Sequence, residues 1–216
     1  MASRGIKGLV VVAVLSVALS LSGQETAPRH GLSLQEGDLL FCCPDAANAI
    51  TDVTSGVEDL PIDHVGIVHR IGGDGGPMFV IEAVKPEVCL TPIDSFLCHN
   101  SQVIAGRVNV EYARSQSIRQ CLRMVGKPYD DLYLPGDSAV YCSELVQMNY
   151  VYPGGEPVFD TVPMSFHDAS GRVTDYWQTF YSRRGMQVPE GMPGTNPGEL
   201  SRRREVTILG RYPVIL

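Results

Sequence analysis

Asp63-His64-Val65-Gly66-Ile67-Val68, followed by Val80-Ile81-Glu82-Ala83, carries the clearest strand signal of the chain. The first run is β-branched and bounded by Pro61 and Gly72-Gly73; residues 78–84 form a second such run. Across the Gly/Asp/Pro turn at 72–77 the two read as an antiparallel hairpin. Residues 38–43 are a short apolar strand after Glu36-Gly37, and the alanines with Ile50 predict a short helix over 46–54. Two more extended segments, 87–91 and 102–110, bracket a short amphipathic piece at 93–98, so the first half of the chain is mostly β. The second half is helical. Ile118, Cys121, Leu122 and Val125 recur at helical spacing until Gly126 stops them. A helix capped by Asp137-Ser138 carries Ala139, Cys142, Val146 and Tyr150 along one side. A further helix is expected over 168–183, and residues 186–200 are rich in proline and glycine.

The chain has 216 residues, 44% hydrophobic and 19% charged, with a net charge of −7. These values exclude a disordered chain, a collagen and a coiled coil, and they suit one domain with extensions. We expect that domain over 30–185, with 186–216 an extension packing on it. The negative charge is the wrong sign for a protein held on nucleic acid or anionic lipid by bulk electrostatics. At the N-terminus, Arg4 and Lys7 precede an uncharged apolar stretch of 14 residues, 8–21. That pattern is a secretory signal peptide, here 1–23, and is shorter than the about 20 apolar residues of a membrane span. Gln24 stands where a lipoprotein would carry its lipidated cysteine. An exported protein without a stable membrane anchor, periplasmic or extracellular, is therefore expected.

Cysteines 42, 43, 89, 98, 121 and 142 are sparse for a disulfide framework, and a fold that does not require disulfides is expected. Cys42, Cys43, Cys89 and Cys98 with His99 lack the paired spacing of a structural zinc motif, so no metal is expected. Cys42, Cys43 and Cys121 read as small buried hydrophobes. A redox role for Cys42-Cys43 is disfavoured because adjacent cysteines bridge only through a strained ring.

Three residues join into one mechanism. Cys142, near a helix N-terminus, supplies a nucleophile; His64, opening a strand, supplies a base; Glu82, on the neighbouring strand, supplies an orienter. A helix dipole and an adjacent imidazolium both favour a thiolate, and a carboxylate fixes the tautomer and steadies the charged ring. Each residue alone reads more simply as packing. His69 is turned to the opposite strand face from His64, while His99 and His167 have no chemical neighbour at telling spacing. Residues 191–201 lack the lysine-serine of a phosphate loop, and their prolines argue against a helix start.

Glu36-Gly37-Asp38-Leu39-Leu40-Phe41, Asp63-His64-Val65-Gly66-Ile67-Val68, Val80-Ile81-Glu82-Ala83, Gly126-Lys127-Pro128-Tyr129-Asp130 and Tyr141-Cys142-Ser143-Glu144-Leu145-Val146 together resemble the NlpC-type papain-like superfamily. Ordinary members place cysteine before histidine. Here His64 precedes Cys142, which resembles the circularly permuted YiiX-like branch, relatives of the lecithin:retinol acyltransferase-type enzymes, over about residues 34–150. The resemblance implies Cys142 as nucleophile, His64 as general base and Glu82 as the residue orienting His64. It places Tyr129 where the family borders its cleft, a position that also suits a packed aromatic. Tyr141 reads as core. Glu144, two residues past the nucleophile, points away on a helix and reads as structural.

The expected fold is α+β: a circularly permuted papain-like arrangement in which an antiparallel sheet or small barrel packs against helices. The expected function is a cysteine hydrolase, or acyl transferase, acting at an amide through Cys142, His64 and Glu82 without a cofactor. Its substrate is a cell-wall peptide or an acylated amide. Apolar residues around the cleft would favour the acyl chain; acidic and amide groups placed for a zwitterion would favour the peptide. The alternative is a non-catalytic module binding lipid or peptide on the same fold. Oligomeric state is not readable in the sequence.

Overall fold

A computed structural model describes residues 33–73, 75–100, 102–136 and 138–212. The signal peptide expected over 1–23 and the capping residue Asp137 lie outside the described residues. The first half runs β1 (Leu39–Cys43), β2 (His64–Arg70), β3 (Met78–Ala83), β4 (Val88–Pro92), α1 (Ile93–His99) and β5 (Gln102–Val108). After α2 (Glu111–Leu122) and α3 (Cys142–Asn149) come β6 (Val162–Pro163), α4 (Asp175–Ser182), β7 (Pro193–Gly194), α5 (Pro197–Ser201) and β8 (Val206–Tyr212). One six-stranded sheet has the order β4-β3-β2-β1-β5-β8, every neighbouring pair antiparallel, while β6 and β7 pair separately. The expected hairpin is β2 and β3, with Ile67 opposite Ile81. Among the described residues no helix is long and apolar enough to cross a membrane.

Both faces of the sheet are covered, which is why β1 is an unbroken apolar run rather than an alternating one. Leu39, Phe41, Val65, Ile67 and Ile81 pack on the side of Ile118 from α2 and Leu145 and Val146 from α3. Leu40, Cys42, Val68 and Val80 pack with Phe96 and Leu97 of α1 on the other side. A third, aromatic cluster gathers Phe166, Trp177 and Tyr181 with Ile50, Val53 and Tyr133. Asp38, fully buried at the head of β1, accepts two hydrogen bonds from the Arg107 guanidinium at 2.7 and 2.8 Å, so two strands share one charge-assisted clamp. Gly37 lies at φ +73, and a Cβ there would strike the backbone of Arg114. The Glu36-Gly37-Asp38 motif is thus an anchor of the sheet.

Several boundaries differ from expectation. No helix forms over 46–54: Asn48 Oδ1 accepts from the backbone N–H of Ile50 and Thr51 and its carbonyl from that of Asp52, but this cap-like start tightens at once to an i+3 bond from Val53 to Ile50 and ends as a turn. The helix expected from 137–138 starts only at Cys142: Val140 is held extended by its bridge to Tyr129 and its N–H donates to the Pro128 carbonyl. α2 ends at Leu122, short of Gly126. α4 starts at Asp175, since Asp168 Oδ1 accepts from the N–H of Ser170 and Arg172 and folds 168–172 into a turn. The prolines after 190 do not prevent a helix. Pro197 stands at the start of α5, where its fixed φ suits, and Asn196 caps it by accepting from Glu199 N–H at 2.7 Å. The extension also supplies an unanticipated strand, β8, along β5.

Gly66 in the centre of β2 has a steric origin. A Cβ built there lies 2.3 Å from Val80 Cγ1 and 3.3 Å from Phe96 Cε2. Gly66→Ala is expected to cost about 1–3 kcal/mol, seen as a Tm lower by roughly 2–10 °C in a thermal melt. An unchanged Tm would mean that β3 and α1 yield freely.

Candidate active site

His64 is the first residue of β2 and lies opposite Cys42 on β1; the Asp63 N–H donates to the Cys42 carbonyl at 3.1 Å and fixes where the strand begins. The β2–β3 register, extended by one residue, places Gly66 beside Glu82, so His64 and Glu82 are diagonal neighbours on one face. His64 Nε2 and Glu82 Oε2 are 2.7 Å apart, in side chains 18% and 8% exposed. The other carboxylate oxygen, Oε1, accepts from Thr91 Oγ1 at 2.5 Å, and the Cys89 thiol stands 3.6 Å behind that hydroxyl.

Cys142 is the first residue of α3 and is 5% exposed. Tyr141 before it is extended, and no side chain caps the helix. The Leu145 N–H closes the first turn onto the Tyr141 carbonyl, and the preceding amides and the helix dipole favour negative charge at this end. The His64 imidazole shares a hydrogen bond with Cys142 and another with Glu82. Burial by itself pushes the imidazole down, but these two hydrogen bonds and the two negative partners raise it to about 10. For Glu82, burial works against ionisation, and the hydrogen bonds and charge of His64, with help from Thr91 and His99, hold the carboxyl below its ordinary value. Cys42 is the contrasting thiol. Complete burial, reinforced by the negative charge of Glu82, Asp63 and Cys142, pushes it well above the ordinary cysteine range, so it stays neutral packing.

Cys142 opens onto a narrow cavity of about 50 Å³ walled by Ile50, Val53, Tyr133, Met164, Phe166 and Trp177, with Thr54, Asp63, Ser143, Ser165, Thr195 and Asn196 among its polar members. The wall comes from two stretches far apart in sequence, pinned together by the Trp177 Nε1–H donating to the Ala49 carbonyl at 3.0 Å. Tyr133 sits at φ +52 with its ring edge-on to Tyr141 and Trp177. The extension reaches α3 directly. Thr195 N–H donates to the Tyr141 hydroxyl and Thr195 Oγ1 to Ser143 Oγ, each at 3.0 Å and buried. On the other side of His64 lies a second basin of about 430 Å³, bordered by Asp63, His64, Glu82, Thr91, Phe96 and His99.

His64, Glu82 and Cys142 meet. Tyr129 stands one ring behind the cavity, packed on the main core, its hydroxyl 3.5 Å from that of Tyr133. Burial raises the Tyr129 phenol above its ordinary value, and raises that of Tyr133 to about 12, so both rings are neutral. Tyr133, not Tyr129, lines the cavity. Glu144 lies in the first turn of α3. His69 pairs with Glu36 at 2.7 Å and His167 with Glu190 at 3.1 Å, whereas His99 borders the same basin as Glu82, a neighbour that its position in the sequence did not reveal. Asp63, Thr91, Tyr133 and Thr195 were not anticipated as members of the site. All six cysteines are free, and among the described residues no three His, Cys, Asp or Glu side chains cluster as metal ligands.

A family model for the permuted papain-like amidases of the YaeF/YiiX group, peptidase family C92, matches residues 33–209. Among solved structures, the chain is similar to metalloprotein yiiX from Escherichia coli O157:H7, with a TM-score of 0.66, 21% identity, and coverage of 83% of this chain and 98% of that one. A comparison with curated proteins finds no match.

The pair has a stability signature. His64, raised in the fold, contributes fully below the ordinary imidazole value of 6.5 and loses that contribution as pH climbs through about 10; Glu82, lowered, contributes above the ordinary 4.5 and loses it on acidification. The Tm difference between wild type and His64→Gln is therefore expected to be largest between 4.5 and 6.5 and to shrink steadily toward 10. A difference that does not vary with pH would show that the pair carries no charge.

Proposed function

The chain belongs to the permuted papain-like amidase family, and we propose that it is an exported cysteine hydrolase that cleaves the amide of an acylated amine through Cys142, His64 and Glu82. The observation that carries the substrate choice is the cavity at Cys142, whose walls are largely aliphatic and aromatic and whose one charged lining residue, Asp63, has no cationic counterpart there to pair with the carboxylate of a zwitterion. An acyl chain suits that lining, since each buried methylene is worth about 0.8 kcal/mol. Export rests on the N-terminal sequence pattern.

In this reading the Cys142 thiolate attacks the amide carbonyl carbon, a C–S bond forms, and the carbonyl electrons move onto oxygen. Backbone N–H groups in the first turn of α3 receive that oxyanion. His64, charged and held by Glu82, passes its proton to the amide nitrogen; the C–N bond breaks and the free amine departs. Water then attacks the thioester, His64 taking its proton, and the acid leaves as the C–S bond breaks. The neutral Tyr133 and Tyr141 rings line the approach without competing for that proton.

The test is a comparison of N-dodecanoyl and N-acetyl amides of one amine, alongside a cell-wall peptide. A kcat/KM preference on the order of 100-fold for the long chain is expected, weakened by Trp177→Ala and abolished by Cys142→Ala. Turnover of the peptide with none of the acyl amides would replace the acyl reading. Tight acyl binding without any turnover would leave a binding module.

A further inference from the structure

The Cys142–His64–Glu82 chain does not end at the carboxylate. Glu82 lies on β3 between two strands: Gly66 of β2 is beside it on one side and Cys89 of β4 on the other. His64 is two residues from Gly66 and Thr91 two residues from Cys89, so both share the face of Glu82 and reach it along diagonals from opposite strands. Each carboxylate oxygen has one partner: Oε2 the imidazole at 2.7 Å, Oε1 the Thr91 hydroxyl at 2.5 Å. The side chain of Glu82 also borders the second basin, where a carboxylate with one free oxygen would turn toward solvent. A fixed donor on Oε1 removes that freedom.

We propose that Thr91 is a positioning residue of the site: its hydroxyl holds Glu82 in the rotamer that presents Oε2 to His64, and through His64 keeps Cys142 reactive. This inference goes beyond the hydrolase reading and does not depend on its substrate. The groups facing Glu82 are His64 from β2, Cys42 from β1, Cys89 and Thr91 from β4, His99 from α1 and Asp63 at the basin's rim. Of these, Thr91 is the donor bound to Oε1. Valine matches threonine in shape but lacks the donor, and serine keeps the donor while losing the methyl group.

The test is the rate of Cys142 alkylation by iodoacetamide as a function of pH, followed on the Cys142 peptide, in wild type, Thr91→Val and Thr91→Ser. No substrate is involved, so failure of the acyl-amide reading leaves the result interpretable. In Thr91→Val, alkylation near neutral pH is expected to slow about three- to tenfold, with the acid-side fall in rate moving to higher pH, because a misplaced Glu82 supports the imidazolium less well. Thr91→Ser is expected to stay within about twofold of wild type. Where an acyl amide is turned over, kcat should fall in Thr91→Val with KM little changed. A wild-type profile in Thr91→Val, or Thr91→Ser as slow as Thr91→Val, would overturn the proposal; the second result would assign the effect to packing of the methyl group.

Discussion

The 2.7 Å contact between His64 Nε2 and Glu82 Oε2 is the interaction on which the site depends. Neither residue is in an environment that favours charge by itself: burial is the largest influence on each, and it opposes ionisation in both. The pair stays charged because each group is the other's compensation, and because hydrogen bonds from outside the pair, Cys142 on the imidazole and Thr91 on the carboxylate, occupy what the pair leaves open. Removing one member from such an arrangement strands a buried charge, which costs more than the pair contributes.

That interaction explains why the sheet is built as it is. The β2–β3 register makes His64 and Glu82 diagonal neighbours, and Gly66 between them is bare because Val80 and Phe96 occupy the space of a side chain. The Asp38–Arg107 clamp joins β1 and β5, and β1 in turn pairs with the start of β2. The imidazole sits at the end of the strands, where α3, packed on the opposite face, presents its first residue, Cys142. The seam between sheet face and helix end thus gives the thiol both an imidazolium and the positive end of a helix dipole.

Much of this arrangement was legible in the sequence, for local reasons. The β2–β3 hairpin is announced by two β-branched runs and the Gly/Pro turn between them, and α2 by its apolar spacing. The grouping of Cys142, His64 and Glu82 came from matched motifs, since separations along the chain do not report spatial approach. What stayed hidden depends on tertiary pairing. Thr91 reads as an ordinary strand residue until β4 is registered against β3. The walls of the cavity at Cys142 come from distant stretches, drawn together by the hydrogen bond from Trp177 to the Ala49 carbonyl 128 residues away. Tyr129 stands in a conspicuous motif, whereas Tyr133, four residues on in a stretch with no such mark, lines the cavity from a backbone at positive φ. The start of α4 lies later than its sequence pattern because Asp168 captures the backbone of 168–172, and the segment after Asn48 stops at a single turn.

The most direct measurement is a ¹⁵N NMR titration of the His64 imidazole in the wild-type protein. Both ring nitrogens are predicted to remain protonated through neutral and mildly alkaline pH, with the proton lost near 10. A singly protonated, neutral imidazole already present at neutral pH would contradict the ion pair, and with it the account of how Cys142 is kept reactive.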